Sequence, residues 1–428
     1  MAESLESCDR IDPLGLPNGW RAVPLGNLLR LTSGLSRPAK LTNNPTLHCP
    51  FPVYGGNGVL GYSAEYMTSE PTLVIGRVGE KCGCVHMVPA KSWISDNALY
   101  AKEFLQRVEL DFIAFAVSQL DLNRLKRKSS QPLVTQGIIY SQVIGIPGLE
   151  EQRAIAHVLR TVQRAKEATE KVIAATRQLK ASLMRHLFTY GPVPVDQADR
   201  VRLKETEVGL VPEHWQVVSI AGISEVKTST ASVDNIPGRS EAASGVPVFF
   251  LKVSDMNLPG NERVFQNAAN IVYINQAHEK RLNAVPAGST VLPKRGAAIA
   301  TNKKRLTKCK CLLDPNLMAI VPGNQITSGF LFAWMERFDL RTITDTTTLP
   351  QLNKKDIEPL KVTLPPLDEQ RKSELFLQAV EQSLRTCESR ESALENLFGS
   401  LLHHLMTGKL RVKDLDPTDH FHDGTAAG

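Results

Sequence analysis

The stretches Pro147–Leu159, "PGLEEQRAIAHVL", and Pro365–Leu377, "PPLDEQRKSELFL", open two long helical runs with the same words: Pro, a spacer, Leu, an acidic residue, then Glu-Gln-Arg. Glu369 minus Glu151 is 218, and that offset also puts Leu183 on Leu401, His186 on His404 and Leu187 on Leu405. Backwards it lays "SSQPLVTQGII" from Ser129 on "TTLPQLNKKDI" from Thr347, Arg77 on Arg295 and Asp96 on Asp314. Trp20 in "LPNGWRAVPLG" matches Trp215 in "VPEHWQVVSIA" at an offset of 195, so the second copy carries about 23 extra residues before its arginine. A period this long is too great for a solenoid and means domain duplication.

Each copy reads as a mixed, strand-rich globular part followed by a helix. "TLVIGRVG" and "STVLPKRG" are short β-rich runs closed by glycine, and "YGGNGVLGY" is turn chemistry. "LDFIAFAVSQL" and "SGFLFAWMERF" are short amphipathic helices in matching places. In the first long helix a seven-residue pattern runs through Ile155, Val158, Val162, Ala165, Thr169, Val172, Thr176, Leu179 and Leu183. That spacing is an a/d seam and asks for a coiled-coil partner. The second helix places Phe376, Val380, Cys387, Leu394, Leu397 and Leu401 on the same seam, with Ser383 and Arg390 interrupting it. At 1.5 Å per residue each helix is on the order of 60 Å long. The expected fold is α+β: two globular domains in tandem, each followed by a long helix. The helices pair as an antiparallel coiled coil with pseudo-two-fold symmetry. The competing possibility is that each helix lies on its own domain.

The length of 428 residues suits two or three domains, and 42% hydrophobic with 22% charged residues is ordinary globular composition. A formal charge of +6 and a pI near 8.9 suit a polyanion. The opening "MAESLESCDRIDPLGLPNGW" lacks signal-peptide character, and no apolar run approaches the roughly 18 residues that span a bilayer. A cytoplasmic protein away from membranes is expected. Seven cysteines do not read as a disulfide framework. Cys82-Gly-Cys84 and Cys309-Lys-Cys311 together offer four thiols for zinc, but zinc sites favour Cys-x₂₋₄-Cys spacing and residues i, i+2 of a strand simply share a face. Free thiols are the expectation.

In their order and duplication, "PGLEEQR" and "PPLDEQR", "LPNGW" and "VPEHW", "PVYGGNGVLGY" with "IGRVGEKCG", and "TLPQLNKKDIEPLKVTLPPLDEQ" resemble the specificity subunit of type I restriction–modification systems. The resemblance runs from about Leu14 to Val412, with Gly148 departing from the proline at Pro366. It implies target recognition domains over 14–148 and 206–365, each reading half of a split DNA sequence. It also implies coiled-coil helices over 149–190 and 366–407 and a linker over 191–205, while the polar composition of 408–428 reads as a disordered tail. The implied partners are double-stranded DNA, two methyltransferase subunits docked on the helices, and restriction/translocase subunits. S-adenosylmethionine, ATP and Mg2+ are expected on those partners, and no cofactor on this chain.

In the second copy, "PKRGAAIATNKKRLTKCKC" carries Lys294, Arg295, Lys303, Lys304, Arg305, Lys308 and Lys310 without an acidic residue. Such a run suits phosphates, with Arg295 or Asn302 placed to read base edges; it equally describes a solvated hairpin face. The first copy offers Arg77 and Lys81 in "GRVGEK", and Arg124, Lys126, Arg127 and Lys128 before "SSQPLVTQ", whose counterpart includes Lys354 and Lys355. "YGGNG" holds Tyr54 and Asn57 and is either a phosphate-approaching loop or a plain turn. Arg77 and Arg295, matched by the offset, are loop-borne readers or internal ion-pair partners. Trp20 and Trp215 read as core anchors.

No catalytic site is legible. There is no phosphate loop and no dinucleotide fingerprint. "DPNL" at Asp314 lacks the second proline and the aromatic of an amino-methyltransferase motif. His403-His404 diverge on a helix, and "HFH" at His420 lies in the polar tail. Two readings stand: a non-catalytic DNA-recognition subunit, and a scaffold whose two heads bind protein or glycan. Salt-dependent duplex binding separates them.

Overall fold

The computed structural model describes residues 15–126, 132–232, 246–274, 281–344 and 350–415. Arg127 and Lys128 lie outside them. Two compact units emerge, and they do not follow chain order. Unit 1 is Met1–Val172 with Cys387–Gly428; unit 2 is Ile173–Thr386. Each unit therefore holds one globular body, half of the first long helix (Leu149–Tyr190) and half of the second (Leu367–Met406).

Both bodies close in the same way. In unit 1 the first strand, Arg21–Pro24, pairs antiparallel with Val143–Ile146, which leads into the long helix. In unit 2 Gln216–Ser219 pairs antiparallel with Lys361–Leu364. The unit 1 body has an antiparallel sheet ordered Leu29–Ser33, Ala98–Phe104, Thr72–Gly76, Val85–Val88. A second sheet is ordered Gly58–Ser63, Phe51–Gly55, Trp93–Ile94. The run "TLVIG" is buried throughout because Thr72–Gly76 is a central strand covered on both faces, and its one hydroxyl, on Thr72, donates to Ala101 O. Unit 2 has a five-stranded sheet ordered Ser224–Thr228, Leu317–Pro322, Thr290–Pro293, Arg305–Thr307, Val264–Phe265, and a three-stranded sheet around Val246–Leu251. The short helices Leu110–Gln119 and Ser328–Arg337 stand 218 residues apart and cover the cores with Phe112, Ile113 and Val117, and with Phe330, Leu331 and Met335.

The repeated Glu-Gln-Arg opening has a structural cause. Buried Gln152 accepts a hydrogen bond from Glu109 N–H (2.9 Å), at the start of the short helix, and donates to Pro147 O (2.9 Å). Buried Gln370 accepts from Thr327 N–H (2.8 Å) and donates to Pro365 O (2.8 Å) and Gln325 O (3.0 Å). One amide side chain in each unit thus ties the long helix to the N-terminus of the short helix, whose first N–H groups lack helical partners. Glu150 and Glu151, and Asp368 and Glu369, sit in first turns where the helix dipole favours negative charge. Each long helix ends at a glycine with positive φ, Gly191 at 82° and Gly408 at 67°, where a side chain would strain the turn.

Within each unit the two helix halves run antiparallel. In unit 1 Lys166 pairs with Glu395, while Glu151 pairs with Arg411 at 2.5 Å. In unit 2 Lys180 pairs with Glu381, and Gly191 lies beside the Glu369 carboxylate. The seam differs from the expected one by one residue in one of its two columns. Ile155, Val162, Thr169, Thr176 and Leu183 face inward or partly inward, and so do Val380, Cys387, Leu394 and Leu401. The companion column is Leu159, Lys166, Ile173, Lys180 and Leu187, with Leu377, Leu384, Glu391, Phe398 and Leu405 on the second helix. Val172 and Leu179 are 50% and 56% exposed, and Phe376 and Leu397 50% and 46%; Val158 is half-buried. The expected column was the more apolar by inspection. The true one contains two lysines whose charges are answered by glutamates from the other helix. Ser383 and Arg390 are exposed and interrupt nothing.

Residues 408–415, expected to belong to the polar tail, are ordered on unit 1, and 416–428 lie outside the described residues. Gly408 lies against Pro17, Leu410 and Val412 pack on the unit 1 core, and Val412–Leu415 is a 3-10 turn.

Candidate nucleic-acid interface

In both units a basic residue leaves a central strand and is fixed by a short ladder to the segment preceding the long helix. In unit 1 Arg77 N–H donates to Asn97 O (3.0 Å), Val134 N–H to Arg77 O (3.0 Å) and Gly79 N–H to Pro132 O (3.0 Å). In unit 2 Lys294 N–H donates to Asn316 O (2.7 Å), Leu352 N–H to Lys294 O (2.8 Å) and Gly296 N–H to Pro350 O (2.8 Å). The ladder makes Lys294 the counterpart of Arg77. Arg295, which bridges to Gln351, is the counterpart of Val78, which bridges to Leu133. The constant offset of 218 matched Arg77 with Arg295. Locally it is 217 on this strand and 218 on the opposing segment.

The unit 2 ladder gathers positive charge. Arg295, Lys354 and Lys355 are exposed and Lys294 is half-buried. Burial, then the charges of Arg295 and Lys354, lower the Lys294 ammonium below the ordinary lysine range. An ammonium lowered by burial and by neighbouring cations is stabilised by an incoming anion.

Further along the basic run, the proposed phosphate cluster dissolves. Lys304 is buried, donating to Phe338 O (2.5 Å) and Asn302 Oδ1 (2.7 Å), and its burial lowers it to about 8. Arg305 is buried and donates to Lys304 O (2.8 Å) and Met256 O (3.1 Å). Half-buried Lys303 donates to Asn257 Oδ1. Asn302 turns the chain at φ 53°, and its Oδ1 also accepts from Leu340 N–H (2.9 Å), so it closes a turn instead of facing a base. Arg305–Thr307 turns residues 305 and 307 inward, Lys304 just before it is buried by its contacts to Phe338 and Asn302, and exposed Lys308 and Lys310 follow at its end.

In unit 1 the same face assembles from separate loops. Half-buried Arg77 donates to Ser33 Oγ (3.2 Å). The "YGGNG" turn packs directly on it: a Cβ on Gly76 would lie 2.2 Å from Gly56 O, and one on Gly56 2.9 Å from Asn97 O. The glycines therefore serve this backbone approach, and exposed Asn57 is brought beside the Arg77 strand. Tyr54 packs against the cluster of Val74, Val88 and Ile94, and burial, then Tyr62, raises its phenol. It is a packing residue. Asn123 donates to Glu80 O (2.8 Å) and Cys82 O (2.7 Å), which carries Lys126, bonded to Asn123 Oδ1 (3.1 Å), to the loop of exposed Lys81. Arg124 is exposed and pairs with Asp121 at 2.5 Å.

Trp215 is fully buried and donates from Nε1 to Glu369 Oε2 (2.8 Å); Trp20 is buried in the unit 1 core. Cys82 and Cys311 are buried, Cys84 half-buried and Cys309 exposed. Among the described residues no three His, Cys, Asp or Glu side chains gather as metal ligands, and no helix is long and apolar enough to cross a membrane.

Comparison with known proteins identifies these duplicated bodies. Residues 17–176 and 212–396 each match the family described as type I restriction modification DNA specificity domain. The MjaVIII specificity subunit of Methanocaldococcus jannaschii, a type I restriction enzyme subunit, is 21% identical over 433 residues, covering 96% of this chain and 97% of that one. The putative MjaX specificity subunit of the same organism is 23% identical over 291 residues, 67% of this chain and 64% of the relative's length. The crystal structure of the type I restriction–modification S subunit from M. genitalium superposes with a TM-score of 0.64 at 14% identity, covering 93% of this chain and 98% of that one. The chain belongs to the type I restriction–modification DNA specificity family, and carries that family's domain twice.

Proposed function

We propose that this protein is the non-catalytic sequence-reading subunit of a type I restriction–modification complex, with one body for each half of a bipartite duplex target. One observation carries the reading: both units use the same backbone ladder to present Arg77, or Lys294 and Arg295, on a loop beside further cations. Arg77 and Arg295 are the candidate base readers. Lys81, Lys126, Lys294, Lys354 and Lys355 are the candidate phosphate contacts, since phosphate contacts orient while base-edge contacts specify. The helix pair sets the spacing of the half-sites. Its outward apolar residues, among them Leu179, Phe376 and Leu397, are unused by the seam and suit docking of two methyltransferase subunits, with restriction/translocase subunits recruited to that assembly. S-adenosylmethionine, ATP and Mg2+ belong on those partners.

The test combines methylation mapping of cells with and without the gene and duplex binding by the complex with its host methyltransferase. The expected result is a bipartite target with a fixed unspecified spacer, bound with a steep salt dependence. Salt-independent binding, or none, favours the scaffold reading.

A further inference from the structure

Four charged side chains from four different elements of unit 2 close into a ring. Lys180 comes from the first long helix, Glu381 from the second, Glu336 from the short helix, and Arg263 from the edge of the five-stranded sheet. Arg263 reaches Glu336 at 2.9 Å and Glu381 at 3.2 Å; Lys180 reaches Glu336 at 3.5 Å and pairs closely with Glu381. The four side chains keep between 10% and 24% of their surface, so water screens the ring weakly. Arg263 also lies over the Phe332 ring, with its Cζ 5.0 Å from the centroid, a cation–π contact.

Among the described residues unit 1 has no matching ring. The offset of 218 places Phe398, Ser118 and Gln163 where unit 2 has Lys180, Glu336 and Glu381. There Phe398 meets Phe115 edge-on at 5.9 Å. In unit 1 the short helix meets the first long helix through the single close charge pair Arg160–Asp111 among the described residues, beside the Gln152 hydrogen bond.

A half-buried ion ring adds little net stability, because desolvation offsets attraction, but it strongly disfavours geometries that separate its members. Arg263 is tied to the reading loop through one strand: its carbonyl accepts from Leu306 N–H (2.8 Å), and Arg305–Thr307 pairs with Thr290–Pro293, which ends at Lys294. We propose that the Lys180–Glu336–Arg263–Glu381 ring is a positioning device, which fixes the attitude of the unit 2 body on its helices and so sets how strictly the complex demands one half-site spacing. The inference rests on the bipartite reading above. None of the four residues touches a base in this account.

The experiment compares the wild-type and R263M complexes, each with the host methyltransferase, on duplexes carrying the mapped target with its spacer unchanged or altered by one base pair. Wild type should show a spacing preference, and R263M, which removes the pairs to both Glu336 and Glu381, should lower that preference at least about tenfold, with the half-site letters unchanged. R263K keeps the charge but cannot fork to two carboxylates, and should lower it by a smaller factor; it also serves if R263M fails to fold. Affinities that fall in proportion on every duplex, leaving the preference intact, reduce the ring to a structural contact and overturn the proposal. A wild-type complex with no spacing preference overturns the bipartite reading, and this inference with it.

Discussion

Replacing Gln370 by Ala removes three hydrogen bonds of a fully buried side chain. Thr327 N–H, at the N-cap of the Ser328–Arg337 helix, loses its acceptor, and Pro365 O and Gln325 O lose a donor. An unsatisfied buried polar group costs about 1–3 kcal/mol. Water entering the space left by the amide can satisfy some of the three, so a destabilisation of about 3–5 kcal/mol is expected, a large share of the roughly 5–15 kcal/mol that holds most domains. Gln152→Ala, which breaks two bonds, should cost about 2–4 kcal/mol by the same reasoning. A chain of two units need not unfold in one step, so the assay is hydrogen exchange read by peptide, beside urea unfolding. Q370A should strip protection from 327–337 and 367–377 while sparing 109–119; Q152A should do the reverse. Unchanged protection, or a shift below about 0.5 kcal/mol in either variant, would refute the tie as the reason for the repeated motif.

The seam makes a paired prediction: Ile173→Asp should cost about 3 kcal/mol or more, and Leu179→Asp less than about 0.5 kcal/mol, by thermal unfolding. Equal losses would restore the column through Leu179. Lys304 gives a pH signature. Its folded value of about 8 lies below that of an unfolded lysine, so between about pH 8 and 10.5 the unfolded chain holds a proton the folded one lacks, and stability should rise with pH across that window. Lys304→Met should remove that rise relative to wild type, and identical slopes would show that Lys304 is not desolvated. In duplex binding, Lys354→Ala with Lys355→Ala should flatten the log–log salt slope by up to about two, whereas Lys304→Met should leave it unchanged. The opposite pattern would move the interface away from the 350–355 segment.

The duplication, the two helix starts and the pairing of the helices were legible in the sequence, because a repeated word such as Leu-acid-Glu-Gln-Arg survives only where the same local geometry is built twice. The placement of Arg77 and of Lys294–Arg295 in loops after β runs was legible in the sequence. Three things waited on tertiary structure. One seam column is the one containing Lys166 and Lys180, and apolar counting passed over it because a lysine is acceptable inside only when another helix supplies Glu395 or Glu381. Lys304 and Arg305 are internal because the carbonyls of Phe338 and Met256, distant in sequence, hold them there. The one-residue slip that makes Lys294 the partner of Arg77 exists only in the ladder between strands, since hydrogen-bond register is a property of two segments and neither carries it alone.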